Sequence, residues 1–227
     1  MQSKIDGNVL QMLTVYLNKG ESVFTETSGM AWMTNGIEMS TNAKGGLMKG
    51  LGRSLAGESL FMTTYTSKTD GAWVVFTPEA PGKVVELDLA AGQTWIAQKD
   101  AFMTAQSSVE MKMHFRKRLG AGFFGGEGFI LQKLTGPGKA WLEIPGETVQ
   151  YTLQANQSLK IDPGHIAAFE ETVQYDIETV KGLGNILFSG EGLFLATLRG
   201  PGKVILQTMP ISNLAQKIAR YLPTNNS

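Results

Sequence analysis

The sequence predicts an all-β protein of three tandem sandwich units closed by one short helix. Three observations carry this. Residues 126–142, GEGFILQKLTGPGKAWL, return 64 positions later as residues 190–206, GEGLFLATLRGPGKVIL, with 10 of 17 positions identical. A period fixed in this way marks a structural unit used more than once. Glycine supplies 27 of the 227 residues, and the apolar runs between turn residues are short, as strands require and long helices do not. Only residues 211–222 change to a helical period.

Composition narrows the function classes. With 42% hydrophobic residues the chain can bury a substantial core. A formal charge of zero and a charged fraction of 18% leave no overall field to attract nucleic acid or an anionic membrane, so any such contact is local. The absence of cysteine excludes disulfides, thiolate metal sites and a cysteine nucleophile, and fits a reducing compartment. The start MQSKIDGN has no basic-then-apolar pattern, and no apolar run reaches the roughly 20 residues a spanning helix needs. The expected location is cytoplasmic, peripheral to a membrane at most.

Taken in order, residues 8–17 hold Val9, Leu10, Met12, Leu13, Val15, Tyr16 and Leu17, closed by Asn18-Lys19-Gly20, and read as a buried strand and turn. Leu17, Leu89 and Leu153 align, as do Ile37, Val109 and Val173. Each unit then has a glycine-rich, partly apolar segment: residues 43–57, 116–126 and 180–190. Glycine there permits bends and bulges that a side chain would block. Each segment leads into a Gly-Glu motif: Gly57-Glu58, Gly126-Glu127 and Gly190-Glu191. An apolar run and a tight turn follow, the turns being residues 68–71, 136–139 and 200–203, and these read as hairpin turns between the strands they join. In the latter two, proline suits the second turn position and glycine the third. Trp73 of the first, divergent copy is matched with Trp141. The strands around these turns are apolar on most positions, as strands covered on both faces are, and neighbouring units supply the second covering. The expected divisions are 3–77, 78–143, 144–210 and a helix at 211–223. Exposed edges of like units pair around a pseudo-threefold axis. In the helix Ile211, Leu214, Ile218, Tyr221 and Leu222 share one face, Ser212 or Asn213 caps, Pro223 stops, and the apolar face packs on the body.

No reaction is legible. GAGFFG at 120–125 has dinucleotide-fingerprint spacing without the βαβ setting, and GLGRS at 50–54 lacks the phosphate-loop ending. His114 and His165 fall at unlike positions of different units, so neither a metal site nor a catalytic triad is expected; His165, after Pro163-Gly164, reads as a turn residue. Glu58, Glu127 and Glu191 are the best acid-base candidates, but their recurrence in every unit points to a structural role. The expectation is a protein without catalytic residues, metal or cofactor. One surface stands out: Lys49, Arg53, Arg116, Lys117 and Arg118 beside the apolar Phe123 and Phe124. Cations around apolar tips suit a lipid headgroup layer or a protein partner. The cations and aromatics of residues 112–124 also suit RNA, against which stand the neutral charge and the lack of such a cluster in the third unit.

Assembled, the Gly-Glu motifs followed by GPGK turns resemble the altered inheritance of mitochondria protein 24 family, bacterial members included, over nearly the whole chain. The first copy departs from the pattern, with GESLF and Thr69-Asp70-Gly71 in place of GPGK. The resemblance implies three tandem units of the type seen in the tryptophan RNA-binding attenuation protein, a jelly-roll-like double-stranded β-helix. An RNA- or small-ligand-binding protein of this fold is the alternative it implies, although it transfers no tryptophan or RNA site. Association of the eukaryotic members with mitochondrial inner-membrane organisation implies a scaffold or membrane-surface role. Extensive apolar runs add the expectation of a homo-oligomer.

Overall fold

A computed structural model describes residues 1–26, 29–42, 62–117, 128–179, 194–219 and 221–222. Those residues form nineteen strands and one α-helix. After β1 (Gln2–Asp6) the strands fall into three sets of six. The first is β2 (Met12–Leu17), β3 (Ser22–Glu26), β4 (Met30–Met33), β5 (Ile37–Asn42), β6 (Met62–Ser67) and β7 (Ala72–Phe76). The second is β8 (Gly82–Leu89), β9 (Thr94–Gln98), β10 (Phe102–Gln106), β11 (Glu110–Lys117), β12 (Phe129–Thr135) and β13 (Gly138–Pro145). The third is β14 (Thr148–Leu153), β15 (Ser158–Ile161), β16 (Ile166–Glu170), β17 (Gln174–Thr179), β18 (Phe194–Arg199) and β19 (Gly202–Gln207), followed by α1 (Ile211–Ala219).

Each set pairs in the same way. Its first, sixth and third strands form one antiparallel sheet, and its fourth, fifth and second form another. Even a β-bulge recurs at one place, between Met30 and Trp32, Phe102 and Thr104, and Ile166 and Ala168. Adjacent sets are joined edge to edge, β3 to β10 and β9 to β16. Four sheets result: A (β1-β2-β7-β4), B (β5-β6-β3-β10-β13-β8), C (β11-β12-β9-β16-β19-β14) and D (β15-β18-β17).

Three apolar cores order these sheets as layers. Leu13, Val15 and Phe76 of A meet Val23, Tyr65 and Trp141 of B. Leu87, Ala105 and Leu142 of B meet Trp95, Leu134 and Ala168 of C. Ile96, Leu131 and Val204 of C meet Ile177, Ala196 and Leu198 of D. Sheets B and C are therefore covered on both faces, and Ala140, Trp141 and Leu142 are buried in succession.

The turns are not hairpins: β6 and β7 lie in sheets B and A, β12 and β13 in C and B, and β18 and β19 in D and C, so each turn carries the chain from one layer to the next. The Gly136-Pro137 and Gly200-Pro201 peptides are cis, and positive φ falls on the residues after the prolines, Gly138 (φ 135) and Gly202 (φ 145). In the first set the link from β6 to β7 is longer, and the tryptophan match shifts. Val75 lies opposite Trp32 as Trp141 lies opposite Thr104, so Val75, and not Trp73, is the counterpart of Trp141. Gly136 must remain glycine for want of space. A Cβ there would stand 2.4 Å from the Ala90 carbonyl oxygen and 2.5 Å from that of Leu89. Gly92, at φ 77, has nothing within 4 Å of a Cβ and faces only backbone strain. Gly136→Ala is expected to cost about 2 kcal/mol and Gly92→Ala about 1 kcal/mol, an order that urea unfolding of the two variants checks.

At both ends the sequence reading is corrected. β2 begins at Met12, and Val9 and Leu10 are exposed, because Gly7 (φ 98) turns the chain before the strand. The same turn lets residues 2–6, which have no apolar alternation, form β1 against β2. At the other end Ser212 and Asn213 lie inside α1. The cap is the Pro210 carbonyl, which accepts from the amides of Asn213 and Leu214.

Candidate functional site

Most of the predicted contact surface, namely Lys49, Arg53, Arg118, Phe123 and Phe124, lies outside the described residues, as do Gly57, Glu58, Gly126, Glu127, Gly190 and Glu191. Of Arg116 the backbone is described, paired with Ile130 on β12. Lys117, at the end of β11, is partly buried, and its ammonium donates to the Ile177 carbonyl of β17. Its charge thus ties the second set to the third. Lys112 pairs with Glu110 at 2.8 Å. His114 sits edge-on to Tyr175, and burial first, then the Lys133 ammonium, hold its imidazole below its usual value against the opposing pull of Glu171. The described part of the basic segment is therefore largely engaged within the protein. His165 closes the turn Pro163–His165, as its sequence position predicts, with Nδ1 2.8 Å from the Gln207 carbonyl oxygen.

Two carboxylates that the sequence did not single out have unusual surroundings. Glu86 on β8 gathers three donors from two strands, β1 and β13: Ser3 Oγ at 2.5 Å, Lys139 Nζ at 2.5 Å and Trp141 Nε1 at 2.9 Å. Burial alone would raise its carboxyl, but the hydrogen bonds from Lys139, Ser3 and Trp141 outweigh it and leave the pKa below normal. With both oxygens occupied, Glu86 fastens β1 to β8 and β13. Glu143 on β13 is the opposite case. Burial raises its pKa to about 7, against one hydrogen bond from the Glu79 amide at 2.8 Å and with the charges of Glu79 and Asp100 adding to the rise. Its counterpart in the third set is Gln207, whose Nε2 donates to the Gly164 carbonyl. The repeat thus carries an uncharged amide where Glu143 stands. Among the described residues no group of three or more His, Cys, Asp or Glu side chains could hold a metal ion.

Helix α1 departs from the expectation that its apolar face packs on the body. None of its residues is buried; Ile211 and Ile218 are 41% and 49% exposed, and Tyr221 and Leu222 beyond it are 77% and 61% exposed. Of the face that the period defines, only Leu214 is half-buried; the helix leaves the body at Pro210, which is buried, and Ile211 and Ile218 stay exposed. Lys217 stands in the last turn of the helix, and no acidic residue follows Glu191 in the chain. No described helix is long and apolar enough to cross a membrane.

Comparison with known proteins gives a consistent result. The family described as Mitochondrial biogenesis AIM24 matches residues 3–209. An uncharacterized protein of Streptococcus pyogenes serotype M6 is 30% identical over 224 residues, which cover 95% of this chain and 88% of that protein. A crystal structure of a Streptococcus pyogenes protein, solved by a structural-genomics consortium, is similar with a TM-score of 0.78 and 27% identity over 97% of this chain and 99% of that one.

Proposed function

The chain belongs to the Mitochondrial biogenesis AIM24 family, and from that premise we propose that it is a non-catalytic scaffold that meets a membrane surface through its C-terminal helix. The observation that carries this is the exposed apolar stripe of Ile211, Ile218, Tyr221 and Leu222 with Lys217 in the last turn of the helix; in sequence Arg220 follows, and no acidic residue lies beyond Glu191. Such a helix lies in the interface plane with its apolar side among acyl chains and its cations at anionic headgroups. Lys217 and Arg220 contribute about 1 kcal/mol each at an anionic surface, so one helix binds weakly and several on one assembly bind well. The internal engagement of Lys112 and Lys117 favours this reading over RNA binding by the same stretch.

Flotation with anionic and neutral vesicles, beside RNA filter binding, tests it. The wild type is expected to float with anionic vesicles, and the double variant Ile218→Glu, Leu222→Glu to stay behind with its circular dichroism unchanged. Flotation lost only on changing Arg116, Lys117 and Arg118 together to Ser would move the contact away from the helix. RNA retention without flotation would overturn the membrane reading.

A further inference from the structure

The joint that fuses neighbouring sets is made twice, with equivalent residues. In the first, Ala105 and Gln106 of β10 lie opposite Phe24 and Val23 of β3, and the Ser107 amide donates to the Ser22 carbonyl at 3.1 Å. In the second, Phe169 and Glu170 of β16 lie opposite Ile96 and Trp95 of β9, and the Glu171 amide donates to the Thr94 carbonyl at 3.2 Å. A third joint of this kind needs the strand equivalent to β10 and β16, which is β4, and the strand equivalent to β3 and β9, which is β15. Both exist. Each ends its sheet, β4 paired with β7 and β15 with β18, and among the described residues neither has a strand on its other side.

Burial records the difference. The first four residues of β10 and of β16 are buried, whereas β4 is half-buried at Met30 and Met33 and exposed at Ala31 and Trp32. Trp32 is 48% exposed where its counterparts Thr104 and Ala168 are 0%. On the other partner all five residues of β9 are buried, while Ser158 and Lys160 of β15 are exposed. Within one chain the two edges belong to the outermost layers, with sheets B and C between them, and no described core cluster contains residues of both A and D.

We infer that β4 of one copy pairs with β15 of a second copy and repeats between chains the joint the chain makes twice within itself. The inner joints fix the register as Trp32 opposite Ile161, Met33 opposite Lys160 and Thr34 opposite Leu159, with the Asn35 amide donating to the Ser158 carbonyl. Sheets A and D then merge into one sheet of seven strands across the two copies, four from one and three from the other. Trp32 comes onto the face where Leu159 and Ile161, now only partly buried, border the core between C and D. The contact is head to tail, so each copy keeps one edge of either kind and the assembly continues until a ring closes. An edge paired in this way is no longer open to indiscriminate strand addition.

The cysteine-free chain suits a direct test. By the inner register Trp32 and Ile161 form a non-hydrogen-bonded pair with Cα atoms about 4.5 Å apart, inside the roughly 4.4–6.8 Å range that a disulfide spans. Trp32→Cys and Ile161→Cys chains, mixed and mildly oxidised, are expected to give a crosslinked heterodimer. Trp32→Cys mixed with Lys160→Cys, one residue out of register, is expected to give little. Light scattering is expected to show a self-associating wild type, and Trp32→Glu, at an exposed position, to be folded and monomeric at the same concentration. A wild type that is monomeric throughout the micromolar range overturns the inference. So does an oligomer that Trp32→Glu leaves intact and the matched cysteines fail to crosslink.

Discussion

Trp141→Ala is expected to lower the unfolding free energy by about 4 kcal/mol, the usual cost of deleting a fully buried aromatic side chain. Trp141 is 0% exposed and lies in the core between A and B with Leu13, Val15, Tyr65, Val84 and Met103. It thus belongs by sequence to the second set and by packing to the first. Its indole also donates to Glu86. Trp141→Phe separates the two contributions: it keeps most of the ring volume and removes the donor, at about 2 kcal/mol for a hydrogen bond to a charged acceptor. Urea unfolding of both variants checks the order. Equal losses would mean that the hydrogen bond to Glu86, and not the packing between sets, dominates at this position.

Glu143→Gln is expected to stabilise the protein at pH 8 by about 2 kcal/mol and to raise Tm by roughly 4–8 °C. The folded carboxyl holds its proton up to a pH of about 7, against 4.5 for the unfolded group. Between those values the native state binds the extra proton, so stability falls as pH rises through the window, and the loss is complete above it. Below 4.5 both states are protonated and the advantage of glutamine disappears. The Glu79 amide keeps an acceptor in the amide side chain, and Gln207 shows that the repeat accommodates one. Thermal melts of wild type and variant from pH 4 to pH 8 measure the difference; a constant gap across that range would show that Glu143 is not protonated in the folded protein. Glu86 acts in the other direction. Its lowered pKa gives stability that is present above the unfolded value and lost as pH falls through the folded one.

The repeat made the fold legible, and its small irregularities hid the rest. Apolar residues at most positions of β12 and β13 implied strands covered on both faces, and Ala140, Trp141 and Leu142 are buried in succession for that reason. The match of Trp73 to Trp141 went wrong because the first set has five residues, 67–71, between the last matched position of β6 and the start of β7, where the second has two, 136–137. A count by similarity cannot see a loop insertion beside a tryptophan. The Glu86 cluster was not legible, because Ser3, Lys139 and Trp141 converge only once β1, β8 and β13 pair. Glu143 did leave a signal: a glutamate matched with Gln207 in an otherwise well-matched stretch, at a half-buried position where burial raises the carboxyl pKa. For α1 the period gave the apolar face, but the choice between body and solvent depends on the direction in which Pro210 releases the chain.

Residue-resolved amide hydrogen exchange as a function of concentration tests most directly the claim that one joint is made twice inside the chain and a third time between chains. In dilute solution the amides of Ser107 and Glu171, which are bonded across the inner joints, are expected to exchange slowly, and the equivalent amide of Asn35 quickly. As concentration rises, Asn35 is expected to slow while Ser107 and Glu171 stay unchanged. Protection of Asn35 already present in the dilute monomer, or its absence in a demonstrably assembled sample, would contradict the account.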